Sequence, residues 1–207
     1  MLLVNSLSVI IRKQNPAKKS HWRYYKPFLR IDFRYRCAYC QIHEAFWGTQ
    51  RNFVVEHFRP RDRFPLLILE YSNLYYACNK CNGSKWDIWP SDQQIAKGLF
   101  FVDPCREDLY ARHVRIRSDG SLEPLTRCGA YTVEHLRLYR KTLRICREQR
   151  LSILREIRRS RRLIRALGRK IQNANQAERD LYSALMDQIL ASLEIFRGFF
   201  RPQVPTD

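Results

Sequence analysis

The chain reads as an α+β protein: a cysteine-bounded core of short strands and one helix, followed by a C-terminal helical hairpin. Three observations predict it. Four cysteines stand as two CxxC pairs, Cys37/Cys40 and Cys78/Cys81, with 37 residues between the pairs. Short β-branched and aromatic runs flank those pairs. From about Thr132 the apolar residues switch to helical spacing and keep it for most of the remaining chain.

The elements follow in order. "MLLVNSLSVII" at residues 1–11 is apolar but lacks the charged leading region and small-residue cleavage site of an export signal, so it is expected to pack on the body as a strand or short helix. "WRYYKPFLRIDFRY" (22–35) is a short amphipathic element leading into the first CxxC pair. "NFVVEHFRP" (52–60) has the composition of a strand ended by Pro60. "RDRFPLLILEYS" is a connection. "NLYYACNKCNGSKW" (73–86) is expected to be helical from Leu74, with Asn73 as its cap and Gly83 as a candidate break. "FFVDPC" (100–105) reads as a strand closed by the turn Asp103-Pro104, and "VRIRSDGSLEPL" (114–125) as a hairpin turning at Asp119-Gly120. Leu136, Leu143, Leu151, Leu154 and Ile157, then Ile164, Leu167 and Ile171, mark the first long helix. "NAN" at 173–175 is the turn, and Leu181, Leu185, Ile189, Leu193, Phe196 and Phe200 form the apolar stripe of the second. No internal repeat or low-complexity linker interrupts the chain. Four regions result: a basic N-terminal segment (1–36), the cysteine-bounded core (37–90), a strand and hairpin extension (91–131) and the helical region (132–207).

Charge narrows the function classes. The 207 residues hold 38 Lys and Arg against 20 Asp and Glu, a formal charge of +18. Such an excess attracts polyanions, with nucleic acid, DNA or RNA, as the default partner and an anionic membrane surface as the weaker alternative. The excess is uneven: residues 136–172 carry fourteen basic and two acidic side chains, whereas 173–207 carry three and five. No apolar run approaches the roughly 20 residues of a membrane span, so a cytoplasmic protein is expected.

In a reducing compartment two CxxC pairs read as one tetrahedral zinc site before they read as disulfides. Cys105, Cys128 and Cys146 are then left as small, partly buried residues. Glu56 and His57 lie between the cysteine pairs. Adjacent strand residues face opposite ways, so both serve one site only if the strand end bends before Pro60. Arg59, Arg61 and Arg63 alternate along the following segment and suit a phosphate backbone or a solvated edge. Lys85 suits a phosphate contact or a solvated helix face. Arg158, Arg159, Arg161 and Arg162 suit DNA or an acidic partner protein. His43 and Glu44 fit a turn, and no partner can be named for His113 or His135. The stripe of the last helix fits packing on the first arm or on another subunit.

"RCAYC", "VEHFRP", "YSNLYYACNKCN" and the following "SK" together resemble the HNH endonucleases, whose core is a ββα-metal fold. The resemblance covers residues 37–85. A weaker one continues through "FVDPC", "DGSLEPLT" and "YTVEHLRL" to a bacterial subgroup of stand-alone members, some tied to phage defence. It implies His57 as the general base, Asn73 as the residue that orients the base or the loop, and Glu56 with Asn82 as ligands of a catalytic cation. A His-Asn-Asn set with a carboxylate suits Mg²⁺ or Mn²⁺ better than zinc. The implied activity is metal-dependent hydrolysis of DNA phosphodiester bonds, as the effector nuclease of an anti-phage system. Two alternatives stay open: a zinc-dependent nucleic-acid-binding module with a degenerate site, and a subunit silent until a partner such as an ATPase recruits it.

Overall fold

The computed structural model describes residues 9–200, with the backbone alone for 195–200. Residues 1–8 of the expected N-terminal element therefore lie outside the described residues, as do the side chains of Phe196 and Phe200. The architecture is α+β, in two units that part at Ile145/Cys146.

In the first unit, a 3-10 turn (Trp22–Tyr25) runs into helix α1 (Lys26–Asp32), with Pro27 in its first turn, where a missing N–H costs nothing. Strands β1 (Phe53–His57) and β2 (Leu74–Cys78) pair antiparallel, and helix α2 (Asn79–Lys85) follows β2 directly. The register sets Phe53 opposite Cys78, Glu56 opposite Tyr75 and His57 opposite Leu74. All five residues of β2 are buried, so both of its faces are covered. Phe53 stacks on Tyr76 at 4.8 Å and Phe58 on Tyr75 at 5.0 Å, while Leu29 and Phe33 at the end of α1 complete this core.

The structure corrects the expected helix from Leu74. Residues 74–78 are strand, because the two tyrosines pack on a pleated surface against β1, and the helix begins only at Asn79. Asn73 therefore precedes a strand and caps no helix. Gly83 sits inside α2, which ends at Trp86 with φ +44°. The expected strand at 100–105 is irregular backbone. Its Val102 N–H donates to the Thr132 hydroxyl (2.9 Å) in place of a ladder partner.

Helix α3 (Asp92–Ala96) opens with a reciprocal Ser91/Gln94 capping box. A π-helical turn (Leu109–His113) leads into the hairpin of β3 (Val114–Ile116) and β4 (Leu122–Pro124), which turns at Asp119-Gly120 as expected. Gly120 supplies the positive φ (+78°), and Asp119 Oδ1 accepts from the Ser121 N–H and hydroxyl. Helix α4 (Arg127–His135) is capped by Thr126, whose hydroxyl oxygen accepts from Gly129 N–H.

Helix α5 (Lys141–Gln172) carries the basic arm into the second unit, where helix α6 (Gln176–Phe200) follows the expected turn. Asn175 and Glu178 cap α6 reciprocally, each side chain accepting the other's backbone N–H at 3.0 Å. The half-buried stripe of α6 is Tyr182, Met186, Ile189 and Leu193. Leu181 and Leu185, expected in it, are 58% and 40% exposed. No helix among the described residues is long and apolar enough to cross a membrane.

Candidate functional site

The four cysteines come together from two directions. Cys37 and Cys40 occupy a tight turn, closed by Cys37 N–H to Ile42 O (3.0 Å) and flanked by the Arg36–His43 bridge. Ala38 N–H donates to Tyr76 O (2.8 Å), which docks this turn on β2. Cys78 ends β2 and Cys81 lies in the first turn of α2, so the strand-to-helix junction aims both sulfurs at the turn. Cys78 precedes α2 without acting as a side-chain cap. All four sulfurs are buried and lie within 4.8 Å of one another, and Cys40 Sγ is 3.8 Å from Cys78 Sγ. A Zn–S bond of about 2.3 Å gives a tetrahedral edge of about 3.8 Å, so the set fits a structural zinc site. Arg140 adds a feature the sequence did not signal. Its Nη2 donates to Cys81 Sγ (3.2 Å) and its Nη1 to Ser84 Oγ (3.1 Å) and Leu136 O (3.2 Å), placing a cation beside the thiolates.

His57 ends β1. Its Nε2 lies 3.0 Å from Ile68 O. A carbonyl oxygen only accepts, so Nε2 carries the proton and Nδ1 is left as the acceptor. The ring is 8% exposed, and Trp22 stands edge-on to it at 5.3 Å. Desolvation lowers the His57 pKa from 6.5, against upward pulls from the Ile68 hydrogen bond and Glu56; Arg61 and Lys85 add to the lowering. The imidazole is therefore neutral at neutral pH and able to take a proton.

Asn73 organises the loop between the strands. Its Oδ1 accepts from Arg59 N–H (2.9 Å), and its Nδ2 donates to Arg59 O (3.1 Å) and Leu67 O (3.3 Å). Phe58 N–H donates to Asn73 O (2.9 Å). This loop delivers the Ile68 carbonyl to His57, so Asn73 and His57 belong to one construction.

Glu56 faces elsewhere. The ladder is regular through His57, without the bend before Pro60 that a shared site required, and alternation sends the two side chains to opposite faces. Glu56 Oε1 pairs with Lys85 Nζ at 2.7 Å, and Oε2 accepts from the Tyr39 hydroxyl at 2.5 Å. Lys85 Nζ also donates to His57 O (3.0 Å). Lys85 is wholly buried, so both expectations for it, a phosphate contact and a solvated helix face, give way to an internal ion pair. Asn82 is half-buried, and its side chain makes no hydrogen bond among the described residues. The donors expected for Mg²⁺ or Mn²⁺ are thus split: the Asn82 amide is open, but the Glu56 carboxylate is neutralised by an ammonium that opposes a second cation. As arranged, they do not fit a dication site.

Arg59, Arg61 and Arg63 are exposed on the same loop. Arg59 lies over the rings of Phe64 and Trp89, Arg61 over Trp22, and Arg63 Nη1 donates to Trp89 O (2.9 Å). On α5, Arg158, Arg159 and Arg162 are exposed and Arg161 is half-buried. Besides Arg140, the site residues the sequence did not signal are Tyr39 and Trp22. Tyr39 stood between two recognised cysteines, while Trp22 carried no signal beyond an aromatic run.

No family model matches the chain. A stretch of 64 residues is 31% identical to the Septu protein PtuB of Bacillus thuringiensis, which amounts to 29% of this chain and 24% of that protein. The chain thus matches about a quarter of the length of this relative.

Proposed function

We propose that this chain is a zinc-stabilised endonuclease of the HNH type that hydrolyses phosphodiester bonds in DNA, with His57 as its general base. The observation that carries the reading is the fixed tautomer of His57. Its Nε2–H is tied to Ile68 O by a loop that Asn73 pins, and its Nδ1 is left to accept a proton. An attacking water gives up a proton as it meets phosphorus, and a neutral imidazole held in one orientation is suited to take it. The exposed Arg59, Arg61 and Arg63 beside the base suit the flanking phosphates. In such enzymes a hard dication neutralises charge at the scissile phosphate. Glu56 is committed to Lys85 and, as arranged, does not hold such an ion. The similarity to the Septu protein PtuB supports a place in phage defence; a cytoplasmic location and a partner protein such as an ATPase belong to the same proposal.

The Glu56–Lys85 pair favours one variant of this reading, a nuclease subunit held silent until a partner or substrate rearranges the site. Plasmid cleavage across an Mg²⁺ or Mn²⁺ titration tests both. Cleavage by the chain alone that is lost in His57→Ala supports the first reading. Cleavage only after a partner is added supports the second.

A further inference from the structure

A second chemical cluster lies away from His57, in the extension whose His113 and Cys128 had no assigned role. The π-helical turn Leu109–His113, capped by Asp108, ends on His113; such turns often mark functional positions. Helix α4 presses its N-terminus against this histidine. A Cβ on Gly129 would lie 2.2 Å from His113 O, so only glycine permits the approach. The approach brings Cys128 Sγ to 3.3 Å from His113 Nδ1. On the far side of the ring, His113 Nε2 lies 2.9 Å from Glu107 Oε2.

These contacts fix the proton arrangement. The Glu107 carboxylate accepts, so Nε2 carries the ring proton and Nδ1 faces the thiol as an acceptor. The Thr126 oxygen accepts from Gly129 N–H (3.0 Å), and its own hydroxyl proton reaches either His113 Nδ1 (2.9 Å) or Cys128 Sγ (3.3 Å). When the thiol proton passes to Nδ1, that hydroxyl is free to turn to the sulfur. The imidazolium is then held by Glu107, and the sulfur sits in the first turn of a nine-residue helix, whose N-terminus favours negative charge.

We propose that Cys128 is a nucleophilic cysteine that reacts with hydrogen peroxide, with His113 as its base and Glu107 and Thr126 as positioning residues. Access selects the substrate class. Cys128 and His113 are each 8% exposed, which suits an oxidant the size of water and excludes a peptide, while the Glu107 side chain is 44% exposed and opens the cluster to solvent. The step balances: Cys–SH and HOOH give Cys–SOH and water. An S–O bond forms as the O–O bond breaks, sulfur loses two electrons, and the proton taken by Nδ1 is returned to the departing hydroxide. This proposal does not depend on the nuclease reading.

The test treats the full, zinc-loaded chain with peroxide, traps sulfenic acid with dimedone and follows each cysteine-containing peptide by mass spectrometry. Cys128 is expected to be labelled at least about tenfold faster than the more exposed Cys105 and Cys146. His113→Gln is expected to slow Cys128 by about a hundredfold, the scale of a lost general base. Glu107→Gln, at an exposed side chain, is expected to slow it by about tenfold or more through loss of the ring's orientation, with the melting temperature unchanged. If His113→Gln fails to fold, Glu107→Gln decides. Labelling of Cys128 no faster than Cys105 and Cys146, or unchanged in folded Glu107→Gln, overturns the proposal.

Discussion

Replacing Lys85 with methionine keeps a stem of similar length and removes the ammonium. The Glu56 carboxylate, 3% exposed, is then left with Tyr39 as its remaining hydrogen-bond partner, and His57 O loses its charged donor. Removing one member of a buried ion pair costs about 3–5 kcal/mol, because the other charge stays buried without compensation. The lost bond to His57 O involves the same ammonium, so its cost overlaps and is not added. Against a total stability of about 5–15 kcal/mol this is a large fraction. For a chain of this size it lowers the melting temperature by roughly 6–20 °C. Adding Glu56→Gln removes the stranded charge and is expected to recover most of the loss, since replacing both partners is far cheaper than removing one. Urea and thermal melts of zinc-loaded Lys85→Met, Glu56→Gln and the double variant give the coupling energy. A Lys85→Met variant within about 1 kcal/mol of the parent, at equal zinc content, would show that Lys85 does not compensate a buried Glu56 charge.

Purified protein is expected to hold about one zinc per chain by elemental analysis, and chelation or Cys78→Ser is expected to unfold the core, because metal-binding energy at such a site is folding energy. Asn73→Ala removes three hydrogen bonds from the loop that orients His57; it is expected to cost about 1–3 kcal/mol in denaturant melts and to reduce cleavage while zinc is retained. Changing Arg158, Arg159, Arg161 and Arg162 together to Ala is expected to lower the slope of log affinity for duplex DNA against log salt by up to about 3–4. An unchanged slope in a binding titration would assign that face of α5 to a protein partner or to solvent.

The sequence made the two-strand core partly legible. Val54 and Val55 beside Phe53 announce β1, and the cysteine spacing announces the buried four-sulfur cluster that could hold a metal, because four thiols have few other reasons to recur in pairs. The strand at Leu74–Cys78 was hidden, since a short buried run of mixed apolar residues carries no period that separates strand from helix. The stripe of α6 was placed correctly at Ile189 and Leu193 but one position early in its first two turns, for a related reason: apolar residues lie next to Tyr182 and Met186, and packing alone chooses between them. At the site, the residue types at Glu56, His57 and Asn73 stood out, but their partners did not. The pairing of Glu56 with Lys85 joins residues on β1 and α2 that only the folded hairpin brings together. The tautomer of His57 depends on a backbone carbonyl, and the sequence does not say which residue supplies it. The charge excess pointed to a polyanion from the start, while the burial of Lys85 shows that a basic residue near a candidate site need not face one.

The role of His57 as general base is read from the pH dependence of plasmid cleavage by the parent and by His57→Ala, with Mg²⁺ or Mn²⁺ supplied and any partner protein present. A base works in its neutral form, and desolvation lowers the His57 pKa from 6.5. Parent activity is therefore expected to be level at neutral pH and to fall about tenfold per pH unit only below a midpoint under 6.5. The same lowered pKa makes the unfolded chain take up a proton first, so stability declines as pH falls from 6.5 toward the folded-state value. Melts at each pH separate that effect from chemistry. His57→Ala is expected to keep zinc, fold and DNA binding and to lose about a hundredfold or more of the rate at every pH on the plateau. A His57→Ala variant that cuts as fast as the parent, with the same pH profile, would rule out His57 as the base.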